Sequence, residues 1–251
     1  MDYPEIVSQA EWRAARKALL AREKELTRLR DELAAERRRL PMVEIGKPYI
    51  FDGPRGPVPL RDLFEGRRQL IVYHFVFDPS WEEGSRRCAH FADNVAGILV
   101  HLAARNTSFA VVSRAPIEKI EAFKRRMEWR FSWVSSIGTE FNEDFAVTID
   151  AVGAEGSEEH NYQRAATLYR AAKIWFPKGE LPGLSVFLRD GRRVFHTYST
   201  YQRGLDLFFN TYNLLDVTPL GRQEKQGRMH AWIRHHDRYE RSEPVRHQLF
   251  T

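Results

Sequence analysis

The sequence predicts an α/β fold with a central mixed sheet of four to five strands, helices on both faces and a long N-terminal helix. The apolar, β-branched and aromatic run at 70–77 is too short to cross a membrane and is typical of a buried strand. A helical pattern begins after Gly84, and a second apolar strand follows at 108–113. Strand, helix and strand in this order predict a βαβ unit with a right-handed crossover.

The only cysteine of the 251-residue chain, Cys88, falls in the first turn of that helix. Free amides and the positive end of the helix dipole stabilise a thiolate at this position, and Arg86 and Arg87 are expected to lower the thiol pKa further. Cys88 is therefore a candidate nucleophile. The alternative is a small buried hydrophobe, since a lone cysteine on the apolar face of a helix usually has no chemistry.

Five stretches of the sequence are long and specific enough to indicate a family: Trp81-Glu82-Glu83-Gly84, Ser113-Arg114-Ala115-Pro116, Phe123-Lys124-Arg125-Arg126-Met127, Ser185-Val186-Phe187-Leu188-Arg189-Asp190-Gly191 and Phe195-His196-Thr197-Tyr198-Ser199-Thr200-Tyr201. Together they resemble a bacterial family of thioredoxin-like proteins, described as predicted dithiol–disulfide oxidoreductases and otherwise uncharacterised. The resemblance spans roughly 43–239. It implies a thioredoxin-like fold, in which a βαβ unit presents the active-site cysteine.

The chain departs from that family at the active-site loop. The family pattern places Cys-x-x-Cys after the glycine, whereas this chain reads Ser85-Arg86-Arg87-Cys88. Because the second cysteine resolves the mixed disulfide made by the first, intramolecular dithiol exchange is excluded here. The remaining Ser-x-x-Cys resembles the peroxiredoxin active site, although peroxiredoxins carry a proline where this chain has Trp81.

Two functions are compatible with this loop. The first is a single-cysteine thiol oxidoreductase, in which Cys88 attacks a peroxide or disulfide and an external thiol resolves the oxidised cysteine. Ser85, Arg87 and Arg114 supply the hydrogen-bond donor and the cations that peroxide attack needs. The alternative is a redox-inactive pocket that binds a small molecule or a protein partner, or that serves a different reaction.

Four more residues are candidates for contact with a substrate. Trp81 and Arg86 flank Cys88 in the loop. Pro182 stands where thioredoxin-like folds carry a cis-proline facing the cysteine, although most prolines are trans. His196 is a candidate for orienting a substrate, with packing against its sheet neighbours as the alternative.

The chain divides into an N-terminal charged helical arm at 1–41, a thioredoxin-like domain at 42–217 and a polar, helical tail at 218–251. The tail is predicted to be helical at 229–239. An insertion at about 150–180 is placed to cover the Cys88 loop, as a lid or as a partner surface. Asp190-Gly191 between two alternating runs predicts a β-hairpin.

The arm is predicted to be one helix over 7–40. At intervals of seven it carries a large apolar residue: Trp12, Leu19, Leu26, Leu33 and Leu40. The companion positions are only half apolar, so the pattern indicates a narrow stripe and no sustained coiled coil. The stripe favours a homodimer contact, and the alternative is a solvated helix docked by a few leucines.

Composition restricts the partners. Net charge is +5, from 39 basic and 34 acidic residues, and its even spread predicts no nucleic-acid or membrane partner. One cysteine and an N-terminus without a signal-peptide pattern predict a cytoplasmic protein. The sequence has no phosphate-binding glycine loop and no nucleophile elbow, so no cofactor is expected. No metal is expected either, since the tail group His230, His235, His236 and Asp237 lacks a usual zinc spacing.

Overall fold

A computed structural model of the chain describes residues 3–149, 159–164, 179–224 and 230–240. The α-helices in these ranges are α1 Gln9–Arg39, α2 Arg86–Ala96, α3 Leu99–Ala104, α4 Ile117–Arg126, α5 Phe141–Asp144 and α6 Asn210–Leu215. The strands are β1 Val43–Glu44, β2 Ile50–Gly53, β3 Gly56–Pro59, β4 Gln69–His74, β5 Thr107–Ser113, β6 Ser132–Ser135, β7 Thr148–Ile149, β8 Glu159–His160, β9 Gln163–Arg164, β10 Gly179–Glu180, β11 Gly183–Asp190 and β12 Arg193–Tyr201. Short 3-10 turns cover Leu60–Phe64, Gln202–Phe208 and His236–Arg238.

The main sheet has eight strands in the order β1-β12-β11-β4-β5-β6-β2-β3. Strands β4, β5 and β6 are parallel, and β11 runs antiparallel to both β4 and β12. Four consecutive strands of this sheet, β12-β11-β4-β5, with only β11 reversed, have the topology of a thioredoxin-like fold. The predicted α/β class and fold are therefore confirmed.

The predicted number of strands, four to five, is wrong. The additional strands β1, β2 and β3 extend the two edges of the sheet and are only two to four residues long. The sequence predicts β2 as a short strand at 49–53, whereas β1 and β3 carry too little hydrophobic alternation to be identified. Two further pairs, β7 with β10 and β8 with β9, lie outside the main sheet.

The core is split by the sheet into two halves, as the predicted helices on both faces require. Along β4, Tyr73 points into the half that contains Cys88, whereas Leu70 and Val72 point into the other half. We call the first half the cysteine face; it is covered by α2, α4 and α6. The opposite face is covered by the 3-10 turn Leu60–Phe64 and by α5.

The N-terminal arm is a helix, as predicted. Helix α1 begins with a capping box, in which Ser8 accepts a hydrogen bond from the Glu11 amide and the Glu11 carboxylate accepts one from the Ser8 amide. None of its residues is buried. Near its end, the Arg37 guanidinium lies 5.5 Å from the centre of the Tyr198 ring, which joins the helix to β12.

The hairpin prediction is confirmed and the tail prediction is wrong. Strands β11 and β12 are joined through Asp190 and Gly191, and Gly191 has the left-handed φ of 59° that such a turn needs. The described part of the predicted tail helix, 230–239, contains only the 3-10 turn His236–Arg238. Its side chains bond to several different elements of the domain, which a regular helix with one inner face could not do.

Two further findings concern the insertion and the question of a membrane span. Most of the insertion at about 150–180, including the residues proposed as a lid, lies outside the described ranges. Within those ranges, no helix has both the length and the apolar character that crossing a membrane requires.

Candidate functional site

Cys88 lies where the sequence predicts it, in the first turn of α2. Ser85 is the N-cap residue of this helix, and Cys88 is its third residue. The cysteine loop, residues 75–85, joins β4 to α2 and is closed by a hydrogen bond from the Ser85 amide to the Val76 carbonyl, at 3.0 Å. The Cys88 side chain is buried, with only 1% of the residue exposed.

Three polar groups beside Cys88 favour its thiolate. The Val76 amide donates a hydrogen bond to Sγ at 3.4 Å, and the hydroxyls of Tyr73 and Ser85 lower the pKa of the thiol as hydrogen-bonding groups. The Ser85 side chain makes no capping bond to α2. Tyr73 is a site residue that the sequence does not reveal, because its place within a continuous apolar run looks like ordinary core.

Burial raises the pKa of the Cys88 thiol. The hydrogen bonds from Tyr73, Val76 and Ser85 and the charge of Arg87 act in the opposite direction, but the net shift is upward. The prediction of an acidified thiolate is therefore wrong for this closed arrangement. A sequence places a cysteine at a helix start, but it does not show how deeply that helix sinks against the sheet.

The cations predicted for the site lie at its surface. Arg86 and Arg87 are exposed at the start of α2, and Arg87 is close enough to act electrostatically on the sulfur. Trp81 is 43% exposed on the outside of the cysteine loop. Arg114 forms an ion pair with the buried carboxylate of Glu180, with 3.0 Å between Nη1 and Oε1.

Pro182 lies next to the cysteine loop, since Gly183 pairs with His74 at the end of β4, whereas His196 does not join this site. No peptide bond in the described residues is cis, so of the two forms left open for Pro182 the structure has the usual trans form, directly before β11. His196 packs against Phe145 and Phe187, which belong to the opposite face of the sheet. The sequence did not reveal on which face the side chains of β12 lie.

His196 instead ends a chain of hydrogen bonds that crosses three strands. His74 Nε2 lies 2.8 Å from Ser185 Oγ, which lies 2.8 Å from Ser199 Oγ. Ser199 Oγ in turn lies 2.7 Å from His196 Nε2. Burial, with a smaller electrostatic effect of His196, lowers the pKa of His74 to about 3. This row of hydrogen-bonded side chains is therefore neutral at physiological pH.

The C-terminal segment (230–240) holds the cysteine loop from outside. His235 Nε2 lies 2.9 Å from the Gly84 carbonyl oxygen, and since that oxygen can only accept, Nε2 must carry the proton. Arg126 of α4 donates to Glu83 of the loop and to Asp237 of the segment, each at 2.7 Å. Sequence reasoning considered these tail residues only as metal ligands and did not find this contact.

The other candidate metal ligands of the tail are also bonded to separate partners. His236 Nδ1 lies 2.8 Å from the carboxylate of Asp93 on α2. His230 contacts the Tyr212 hydroxyl of α6. Among the residues that the structure describes, no group of three or more His, Cys, Asp or Glu side chains is arranged to hold a metal ion.

Comparison with known proteins gives a family and distant structural neighbours. A family model described as "Bacterial protein of unknown function (DUF899)" matches residues 1–239. No curated protein matches the sequence. A PrxQ mutant from Xylella fastidiosa is 13% identical, with a TM-score of 0.42, over 67% of this chain and 89% of its own.

Two further solved structures are similar at the same level. The peroxidoxin BcpB of Mycobacterium tuberculosis is 11% identical, with a TM-score of 0.39, over 67% of this chain and 94% of its own. The mitochondrial 2-Cys peroxiredoxin of Plasmodium falciparum is 10% identical, with a TM-score of 0.38, over 70% of this chain and 92% of its own. The assignment of the fold rests on the strand order of this chain itself.

The low pKa of His74 predicts a loss of stability in acid. Below the ordinary histidine pKa of about 6.5, the unfolded chain binds a proton at this residue that the folded chain does not bind until about pH 3. His74 therefore lowers the free energy of unfolding by up to about 1.4 kcal/mol for each pH unit below that value. In urea unfolding between pH 7 and pH 5, His74→Gln should show a correspondingly smaller pH dependence; an unchanged slope would contradict this assignment.

The contact between His235 and Gly84 predicts control over access to Cys88. His235→Phe keeps the ring against Phe123 but removes the hydrogen bond to the loop. A net loss of about 1 kcal/mol should increase the open population, and with it the alkylation rate of Cys88 in the folded protein, roughly fivefold. His236→Phe is the matched control, since His236 bonds to Asp93 and not to the loop. Equal alkylation rates in both variants would contradict the prediction.

Proposed function

This chain belongs to the DUF899 family of bacterial proteins of unknown function, and we propose that it is a thiol-dependent reductase of peroxides or disulfides that acts through Cys88. The observation that supports this is the set of three donors around the sulfur, from Tyr73, Val76 and Ser85. A cysteine that only fills space needs no hydrogen-bond donors, because its thiol behaves as a small hydrophobe. Donors aimed at sulfur stabilise the thiolate, which is the nucleophile in both reactions.

With a peroxide, the Cys88 thiolate attacks one peroxide oxygen. A sulfur–oxygen bond forms as the oxygen–oxygen bond breaks, and the leaving alkoxide takes up the proton released by the thiol to become an alcohol. The resulting sulfenic acid reacts with an external thiol, which releases water and forms a mixed disulfide. A second external thiol then attacks this disulfide, so that Cys88 is regenerated and the reductant leaves as its own disulfide.

With a disulfide substrate, the first step is an exchange. The Cys88 thiolate attacks one substrate sulfur, the substrate disulfide breaks, and the other half leaves as a thiol. The mixed disulfide is resolved by an external thiol in the same way, because the chain has no second cysteine. A small-molecule or protein thiol is therefore a required partner for either substrate.

The residues around Cys88 take distinct roles in this proposal. The hydroxyls of Ser85 and Tyr73 stabilise the thiolate and hydrogen-bond to the oxygen that departs. Arg87 supplies positive charge close to the sulfur, and Arg114 supplies it at the far end of the loop, beside Asp78. Trp81 and Arg86 are exposed on the loop and at the start of α2, and they contact the substrate or the reductant.

Reaction requires the outer part of the cysteine loop, residues 77–84, to move, while Val76 and Ser85 stay bonded to each other at the base of the loop beside the sulfur. In the closed arrangement Cys88 is 1% exposed, and burial keeps its thiol protonated. Opening of the loop admits water and relieves the desolvation that raises the pKa, while the helix dipole and Arg87 remain in place. The loop is therefore both the entrance to the site and the switch for thiol ionisation.

The same burial favours a second candidate, a redox-inactive protein with a thioredoxin-like pocket. Cys88 belongs to a continuous apolar cluster with Phe91, Val95 and Val111. If the loop stays closed, Cys88 serves only as packing, and the function of the protein lies in what its surface binds.

The two candidates differ in the response of Cys88 to hydrogen peroxide. We expect the folded protein to form one sulfenic acid, measured as a single trapped adduct by intact mass. Ser85→Ala and Tyr73→Phe each remove one donor from a charged sulfur, so each should slow this reaction roughly tenfold. Ser80→Ala is a control at the same loop, since that hydroxyl bonds only to Asp78. A Cys88 that reacts only after unfolding in urea would support the redox-inactive candidate instead.

We also propose that α1 forms a homodimer contact. Its apolar stripe is exposed in the monomer, with Trp12, Leu19, Leu26 and Leu33 each between 44% and 58% accessible. An isolated amphipathic helix obtains most of its stability from packing of its apolar face, and the described part of the chain leaves this stripe uncovered. A second copy offers the same stripe and can cover it.

The dimer proposal is tested by sedimentation of the full chain. Leu19→Asp together with Leu26→Asp places charge in the stripe and should reduce the mass from that of a dimer to that of a monomer. Arg28→Glu changes charge on the same helix outside the stripe and should leave the dimer intact. A wild-type protein that sediments as a monomer at high concentration would refute the proposal.

A further inference from the structure

A cleft away from Cys88 contains a polar side chain that lacks its partners. The cleft lies between α2, α6 and the C-terminal segment, and its volume is about 290 Å³. This is near the lower end of the range for small-molecule sites, about 300 Å³. Its lining residues are His90, Asp93, Asn94, Thr211, Trp232 and Tyr239.

His90 is the unusual member of this group. It is 7% exposed, and neither of its ring nitrogens has a hydrogen-bond partner among the described residues. Buried polar groups are nearly always paired, so an imidazole with two unpaired nitrogens calls for a specific reason. Burial also lowers the pKa of His90, so the ring is neutral and has one acceptor nitrogen.

The surroundings of His90 are aromatic and offer neither ring nitrogen a hydrogen bond. The rings of Phe209, Tyr212 and Trp232 have centroids 5.2, 5.3 and 5.7 Å from the imidazole. Contacts of N–H groups with such rings are weak substitutes for hydrogen bonds. Because no hydrogen bond fixes either nitrogen, rotation about the Cβ–Cγ bond breaks no hydrogen bond. A nitrogen is therefore available to a ligand in the cleft.

The charge of the cleft comes from Asp93. Asp93 is the only carboxylate among the six lining residues. Its Oδ1 accepts hydrogen bonds from Trp129 Nε1 and His236 Nδ1, each at 2.8 Å. These bonds orient the carboxylate without neutralising it. The Asn94 amide is already used, since Nδ2 donates to the His90 carbonyl and Oδ1 accepts from the Thr211 amide.

We propose that this cleft binds a small aromatic amine in its ammonium form, with the ammonium donating to His90 and paired with Asp93. An acceptor nitrogen, a carboxylate and the faces of Trp232 and Tyr239 together complement a cation attached to an aromatic body. The chemistry of the site rejects anions, because Asp93 repels them. This inference does not depend on the reactivity of Cys88.

The test uses the full chain with benzylammonium as the cationic probe and benzoate as the anionic probe of similar shape. Titration followed by the NMR signal of the Trp232 indole N–H should saturate with benzylammonium and show no saturation with benzoate. Asp93→Asn keeps the hydrogen bonds from Trp129 and His236 but removes the charge, and it should weaken benzylammonium binding at least tenfold. Glu118→Gln, an exposed acid on α4, should leave it unchanged.

A second variant separates ligand binding from packing. His90→Phe keeps an aromatic ring in the cluster and removes both nitrogens, and it should weaken benzylammonium binding at least tenfold as well. The proposal is overturned if benzylammonium gives no saturable shift, if benzoate binds equally, or if Asp93→Asn binds like the wild type. His90 would then be only an unpaired member of the aromatic core. Should His90→Phe fail to fold, the comparison of Asp93→Asn with Glu118→Gln still decides between these outcomes.

Discussion

The packing of α2 onto the central strand β4 determines the chemistry available to Cys88. The rings of Tyr73 and Phe91 stack with centroids 3.8 Å apart and planes 8° apart, which sets how closely the helix approaches the strand. At this distance the sulfur reaches the Val76 amide and the Tyr73 hydroxyl. The same approach excludes water from the sulfur and raises its pKa, so the donors and the burial have one origin and opposite effects.

The cysteine loop can close over the sulfur only because Gly84 has no side chain. A Cβ at this position would lie 2.6 Å from the Phe75 ring and 2.9 Å from the Phe123 ring, closer than real contacts allow. The backbone thus packs directly on two aromatic rings, and its carbonyl is left to accept the proton of His235. The loop is held on its inner side by packing and on its outer side by a segment about 150 residues further along the chain.

The sequence was sufficient for elements that are long or carry a specific turn signal. The helix at 9–39, the strand at 69–74, the helix start beside Cys88 and the Asp190-Gly191 hairpin all follow from periodicity or from residue preference. The edge strands β1 and β3 gave no such signal. The tail could not be predicted, because its conformation depends on contacts of His235, His236 and Asp237 with parts of the domain that are distant in sequence.

The sequence predicted only those parts of the site whose residues are neighbours along the chain. Ser85, Arg87 and Cys88 are close in sequence and remain close in space, whereas the place of Tyr73 depends on which face of β4 it occupies. Tyr73 and His74 are adjacent, yet one bonds to the sulfur and the other belongs to the hydrogen-bonded chain on the opposite face. Their run is apolar on both sides, so alternation could not separate the faces.

Burial and hydrogen bonding make different demands on the same thiol, and their balance depends on the loop. With the loop closed, desolvation is the larger effect and the thiol stays protonated and unreactive. With the loop open, the desolvation falls, while the helix dipole and Arg87 stay with α2 and still favour the thiolate. In the proposed reaction, Cys88 would be inert until the loop is displaced, and its reactivity would depend on the C-terminal segment that holds Gly84. In the redox-inactive alternative, the same segment would only stabilise the fold. Its release would expose a thiol that takes part in no reaction, and the three donors around the sulfur would then have no catalytic role.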